Sequence, residues 1–168
     1  NEDGSPRSDI FSQATPTNGQ PGLGYIATAL TAAHQADPNA KLYLNDFNIE
    51  GVGAKSNAML AEVMSLKQQG VPIDGVGFES HFVLGGVPST MQQNIQRFVS
   101  AGLSVWITEL DDRITLPASS ANLTQQANEY AGVVRSCLAV TGCVGSTVPH
   151  FISLPGVTAS NWLPATLM

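Results

Sequence analysis

Apolar residues recur along the chain in two alternating rhythms. From Tyr25 to Gln35 an alanine-rich stretch carries Ile26, Leu30 and Ala33 at helical spacing, and Asp37-Pro38-Asn39 ends it. Lys41 to Phe47 (KLYLNDF) then has the aromatic and aliphatic content of a short strand. Met59, Leu60, Val63, Met64 and Leu66 form a broad stripe that predicts a helix over 54–69, with Gly70 as its C-terminal stop and Pro72 following. Ile73 to Phe78 (IDGVGF) reads as a buried strand. Ser89-Thr90 opens a helix running to Val99, with Ile95 and Phe98 inward and Gly102 closing it. Leu103 to Thr108 (LSVWIT) is a third strand, in which Trp106 is expected in the core. Thr124 to Val140 is the next helix and Cys143 to Val148 the fourth strand. Residues 1–24 read as irregular, and Thr15 to Gly22 is a loop by composition.

The order is therefore helix, then strand–helix three times, then strand. Buried short strands alternating with amphipathic helices predict a parallel sheet with helices outside. Two α/β architectures fit, an open doubly wound sheet and part of a (β/α)8 TIM barrel. No GxGxxG follows a strand and no P-loop is present, so nucleotide binding has no support.

Composition narrows the field. The 168 residues are 43% hydrophobic and 12% charged, which excludes a mostly disordered chain. A net charge of −6 with seven Lys and Arg offers no basic face, so neither nucleic acid nor an anionic membrane surface is an expected partner. Cys137 and Cys143 lack zinc-site spacing; they could close one small disulfide loop in an oxidising compartment. The sequon Asn122-Leu123-Thr124 lies in a polar stretch. Together these favour a secreted protein whose signal peptide lies upstream of Asn1.

Each predicted strand ends in polar chemistry. The first runs into Asn45, Asp46, Asn48 and Glu50, the second into Glu79, Ser80 and His81, the third into Glu109, Asp111 and Asp112. In a parallel α/β protein all strand C-termini share one face, which carries the active site in barrels. Carboxylates gathered there suit glycoside hydrolysis, which takes two of them. A divalent ion is the competing use, though the set lacks tight ligand spacing. Any single Asp or Glu at a strand end also serves readily as a helix cap or a surface charge.

The segments LYLNDFNIEG (42–51), AKSNAM (54–59), GVPIDGVGFESHF (70–82), QNIQRF (93–98) and VWITELDDRI (105–114) resemble the endo-1,4-β-xylanases of glycoside hydrolase family 10. NEDGSPRSDIF (1–11) resembles the segment just after that family's acid/base strand. The resemblance covers about residues 1–147 and implies a (β/α)8 barrel that hydrolyses xylan with retention, without cofactor or metal. Carried over by motif, Glu109 of ITELD would be the nucleophile, His81 would hydrogen-bond it, and Asp111 would orient His81 in a buried carboxylate–imidazole–carboxylate relay. Asn45 would contact the sugar, a turn residue being its bland alternative. Trp162 could wall the sugar site from the last loop.

Departures from the family pattern shape the expectation. The family's acid/base glutamate falls before Asn1, and Asn1-Glu2 aligns after that motif rather than on it. Glu79 stands where the family has Gln; a carboxylate beside Glu109 repels it when ionised, so one carboxyl would hold a proton. Residues 149–155 interrupt the last strand before GVT…NWLP (156–164) resumes the pattern, and residues 13–22 look like a second insertion. A barrel takes around 250 residues, so residues 1–168 read as a partial catalytic domain, the C-terminal half of the barrel with about four strands and four helices. Three outcomes remain open: an endo-xylanase, a catalytically inactive fragment lacking the acid/base glutamate, and a half-barrel that self-associates through its unpaired edges.

Overall fold

The computed structural model describes residues 1–15 and 22–148. The expected insertion at 149–155, residues 16–21 of the other, and Trp162 lie outside the described residues. The elements in chain order are α1 (Ile10–Ala14), α2 (Gly24–Ala36), β1 (Tyr43–Asp46), α3 (Ala54–Gln68), β2 (Gly75–Phe78), β3 (His81–Val83), α4 (Met91–Ser100), β4 (Ser104–Ile107), β5 (Asp111–Arg113), α5 (Ser120–Leu138) and β6 (Cys143–Ser146). Strands β1, β2, β4 and β6 form one parallel sheet in that order, and β3 and β5 pair as a second, two-stranded parallel sheet.

The sheet's two faces follow from the period of two along each strand. Val76 and Phe78 of β2 and Val105 and Ile107 of β4 are fully buried, together with Ile95 and Phe98 of α4 and Val133 of α5. Phe78 meets Phe98 edge-on, with ring centroids 5.5 Å apart at 79°. The opposite face carries Asn45, Gly77, Trp106 and Gly145 in one register row. A Cβ on Gly77 would lie 2.1 Å from Asn45 Oδ1, so glycine there lets the Asn45 amide lie across the sheet. Gly102 takes φ +77° where α4 hands over to β4. The disulfide Cys137–Cys143 ties the end of α5 to the start of β6.

Three expectations change. Trp106 is not core: it is 39% exposed because its neighbours Val105 and Ile107 take the helix-covered face. Its indole N–H donates to Thr147 Oγ1 at 3.0 Å and its ring lies over Gly145. Residues 1–24 are not all irregular. Asp9 caps α1, accepting from the Phe11 and Ser12 amides, while Ser12 Oγ accepts from the Asp9 amide. Third, β3 and β5 are strands where the sequence suggested only polar residues beyond the strand ends.

Candidate active site

The C-terminal ends of β1, β2 and β4 lie side by side, because Asn45 pairs with Gly77 and Phe78 with Ile107 in register. Backbone bonds carry this alignment past the strands: Glu79 N–H donates to Asp46 O at 3.0 Å, Thr108 N–H to Phe78 O at 2.9 Å and Glu109 N–H to Glu79 O at 3.1 Å. Asn45, Glu79 and Glu109 consequently converge. Asn45 Nδ2 donates to Glu79 Oε1 and to Glu109 Oε1, each at 3.3 Å. Thr108 fixes the amide by donating from Oγ1 to Asn45 Oδ1 at 2.8 Å, which turns the NH2 towards the carboxylates.

The short β3–β5 pair brings in the remaining groups. Its register sets His81 directly opposite Asp111, and their side chains meet with Nδ1 3.1 Å from Asp111 Oδ1. The other imidazole nitrogen, Nε2, lies 3.4 Å from Glu109 Oε2 and 3.7 Å from Glu79 Oε2. Five of the residues singled out in the sequence (Asn45, Glu79, His81, Glu109 and Asp111) therefore form one cluster.

Its electrostatics are those of three carboxylates around one imidazole. Burial works to lower the His81 pKa, but the Asp111 hydrogen bond and the charges of Asp111, Glu109 and Glu79 lift it above its ordinary value. Burial, then the charge of Glu109, push the Glu79 carboxyl up, against the pull of His81. The expected burial of the relay is not found. The side chains of His81 and Glu109 are 38% and 45% exposed, and β3 and β5 pair only with each other.

Two supporting residues were not assigned from sequence. Thr108 orients Asn45, and its only signal was adjacency to Glu109. Glu50, named there merely as a strand-end carboxylate, is 2% exposed and accepts from the Ser80 N–H at 2.7 Å. A cleft of about 330 Å³ opens beside the cluster, lined by Arg7, Tyr25, Asn45, Asp46 and Lys55 among others but by neither Glu109 nor His81. Concavity and chemistry are thus neighbours that share Asn45. Among the described residues no group of three or more His, Cys, Asp or Glu is arranged to hold a metal ion, and no helix is long and apolar enough to cross a membrane.

Comparison with known proteins gives a consistent result. Residues 1–152 match the model of glycosyl hydrolase family 10. An endo-1,4-beta-xylanase of Agaricus bisporus is 55% identical over 161 residues, covering 94% of this chain and 46% of that protein. Endo-1,4-beta-xylanase A of Phanerodontia chrysosporium is 47% identical over 166 residues, 99% of this chain and 38% of its own length. Among solved structures, a glycosylated family 10 xylanase from Gloeophyllum trabeum superposes with a TM-score of 0.79 at 42% identity, over 88% of this chain and 45% of that one. The xylanase from Bispora sp. MEY-1 with xylobiose gives 0.80 at 38% identity, over 88% and 44%. The chain spans less than half the length of these relatives.

Proposed function

The chain belongs to glycosyl hydrolase family 10, and on that premise we propose that it supplies the nucleophile half of a (β/α)8 barrel that cleaves internal β-1,4 bonds of xylan with retention. The observation that carries this reading is the convergence of Glu109, His81 and Asp111, with Nε2 3.4 Å from Glu109 and Nδ1 3.1 Å from Asp111. Asp111 accepts from Nδ1–H and so fixes the tautomer and ring plane. The opposite nitrogen then faces the carboxylate that attacks the anomeric carbon. The Asn45 NH2, held by Thr108, lies where it can donate to a sugar hydroxyl as the glycosyl–enzyme bond forms. The reaction also takes a second carboxyl about 5–5.5 Å away that protonates the leaving oxygen and later activates water. We assign that role to none of the 168 residues. Xylobiose bound in the Bispora relative supports xylo-oligosaccharides as the ligand class, and the bonded Cys137–Cys143 pair supports a secreted protein.

Glu79 favours the second reading, a catalytically inactive chain. An anion within 3.7 Å of the nitrogen that serves Glu109 competes for the same imidazole and repels the attacking carboxylate. Burial, then the charge of Glu109, raise the Glu79 pKa, so that repulsion is relieved as the pH falls.

A 2,4-dinitrophenyl 2-deoxy-2-fluoro-xylobioside separates the two readings. Its leaving group departs without protonation, so labelling depends on the nucleophile alone. The expected result is one added 2-deoxy-2-fluoroxylobiosyl mass on the peptide containing Glu109, with one equivalent of dinitrophenolate released as a burst, and neither in Glu109→Ala. A label on Glu79 would overturn the role assignment, and no label would favour the inactive chain.

A further inference from the structure

Ser80 joins Glu79 to His81, the two residues that flank Glu109, and it does so with φ +64°. That left-handed conformation is disfavoured for any residue with a Cβ and persists only where the surroundings impose it. Ser80 is fully buried, and its peptide is held on both sides. Its N–H donates to Glu50 Oε1 at 2.7 Å, and its carbonyl accepts from the Asp111 N–H at 3.2 Å. Glu50 comes from the loop after β1 and is 98% removed from solvent, being 2% exposed. Among the described residues it makes no ion pair within 4 Å; Lys55 and Glu79 are the charged groups that act on it from α3 and the β2 end.

We propose that Glu50 is a positioning residue: its carboxylate clamps the Ser80 peptide in the left-handed turn and thereby sets Glu79 and His81 against Glu109. The chemistry explains why the acceptor is a carboxylate. A charged acceptor binds an N–H more strongly than an amide oxygen does. A glutamine would present the same oxygen but bring two buried donors without partners. Without the clamp, Ser80 relaxes to negative φ. Its peptide plane then rotates, and because Glu79 and His81 are its immediate neighbours, they cannot both keep their places.

The clamp rests on the proposed site only for its consequence, since its geometry can be tested without turnover. The readout is the His81 imidazole titration by NMR, assigned among the three histidines by His81→Gln, in a double-mutant cycle of Glu50→Gln and Ser80→Gly. In the parent, Asp111, Glu109 and Glu79 hold the His81 pKa up against the effect of burial. Glu50→Gln is expected to lower it by about half a pH unit. Glycine adopts the left-handed turn without a Cβ penalty. Ser80→Gly is therefore expected to leave His81 unchanged alone and to reverse most of the lowering in the Glu50→Gln background. If Glu50→Gln fails to fold, Glu50→Asp, whose carboxylate is withdrawn by one methylene, takes its place in the cycle. An equal shift in both Ser80 backgrounds would mean that Glu50 acts by direct charge or general stability, and would overturn the clamp. The two failures are distinguishable: a fluoroxyloside label on Glu109 with an additive cycle overturns the clamp alone, and a coupled cycle without that label overturns the nucleophile alone.

Discussion

Glu79 and Glu109 share two partners, the Asn45 NH2 and the His81 Nε2, so what happens to one carboxylate is felt by the other. At a half-exposed site the repulsion of two such anions is worth on the order of 1 kcal/mol, or roughly fivefold in rate. Replacing Glu79 by Gln removes the charge and keeps an acceptor. In a chimera completed with the N-terminal half of a family relative, Glu79→Gln is expected to raise kcat about fivefold at neutral pH. Because the Glu79 pKa is raised, the residue is protonated at low pH and there behaves as the amide already does. The gain should therefore shrink as pH falls, and a gain independent of pH, or a loss, would sink the idea. The five clustered residues were legible because each sits at or just beyond a strand end, where alternation and topology suffice. The Glu50–Ser80 bond was not, since the two lie 30 residues apart and nothing local marks a serine for positive φ.

Between elements, the contact of β5 with α5 contains a second carboxyl pair. Asp112 is 4% exposed, and neither of its oxygens has a hydrogen-bond donor other than a neighbouring acid. Burial, then the charge and hydrogen bond of Glu129, push its pKa up to about 6. Burial also acts upward on Glu129, but hydrogen bonds from Gln125, the Gly85 N–H and Asp112 together bring it below its ordinary value. Of the two carboxyls, Asp112 is therefore the one that holds a proton below about pH 6. A carboxyl whose folded pKa exceeds its unfolded 3.8 favours the fold most at low pH, and that contribution is lost as pH rises to about 6. Glu129 acts in the opposite sense at lower pH, so the window from pH 5 to 7 reports on Asp112. Asp112→Asn is neutral throughout and should stabilise the chain by about 1–3 kcal/mol at pH 7 and by about half as much at pH 5. Urea unfolding at the two pH values checks this; the same increment at both would show that charge is not the cause. Elements of this size mark the limit of sequence reading. The four sheet strands and the helices after residue 24 follow from periodicity, whereas three-residue β3 and β5 are too short for alternation to register. Five-residue α1, held by the Asp9–Ser12 cap, falls in a stretch that reads as irregular.

For the whole molecule, alternating strands and helices were enough to give a parallel sheet, but not which face Trp106 takes, since Val105, Trp106 and Ile107 are all apolar. The answer matters for association. A parallel sheet ordinarily has both faces covered. Here one face carries Trp106, 39% exposed, and β1 and β6 stand as edges among the described residues, with Val144 of β6 50% exposed. An edge presents unpaired N–H and C=O groups to any second strand. We therefore expect the 168-residue chain to self-associate in isolation, with a sedimentation coefficient that rises with concentration. The net charge of −6 opposes contact between copies, so added salt should strengthen association by screening. Lysine on an edge strand disfavours edge pairing. Val144→Lys should therefore weaken self-association about tenfold or more while the helical circular dichroism is unchanged. A monodisperse monomer that unfolds sharply on heating would instead mean that these edges and this face are satisfied within a single copy.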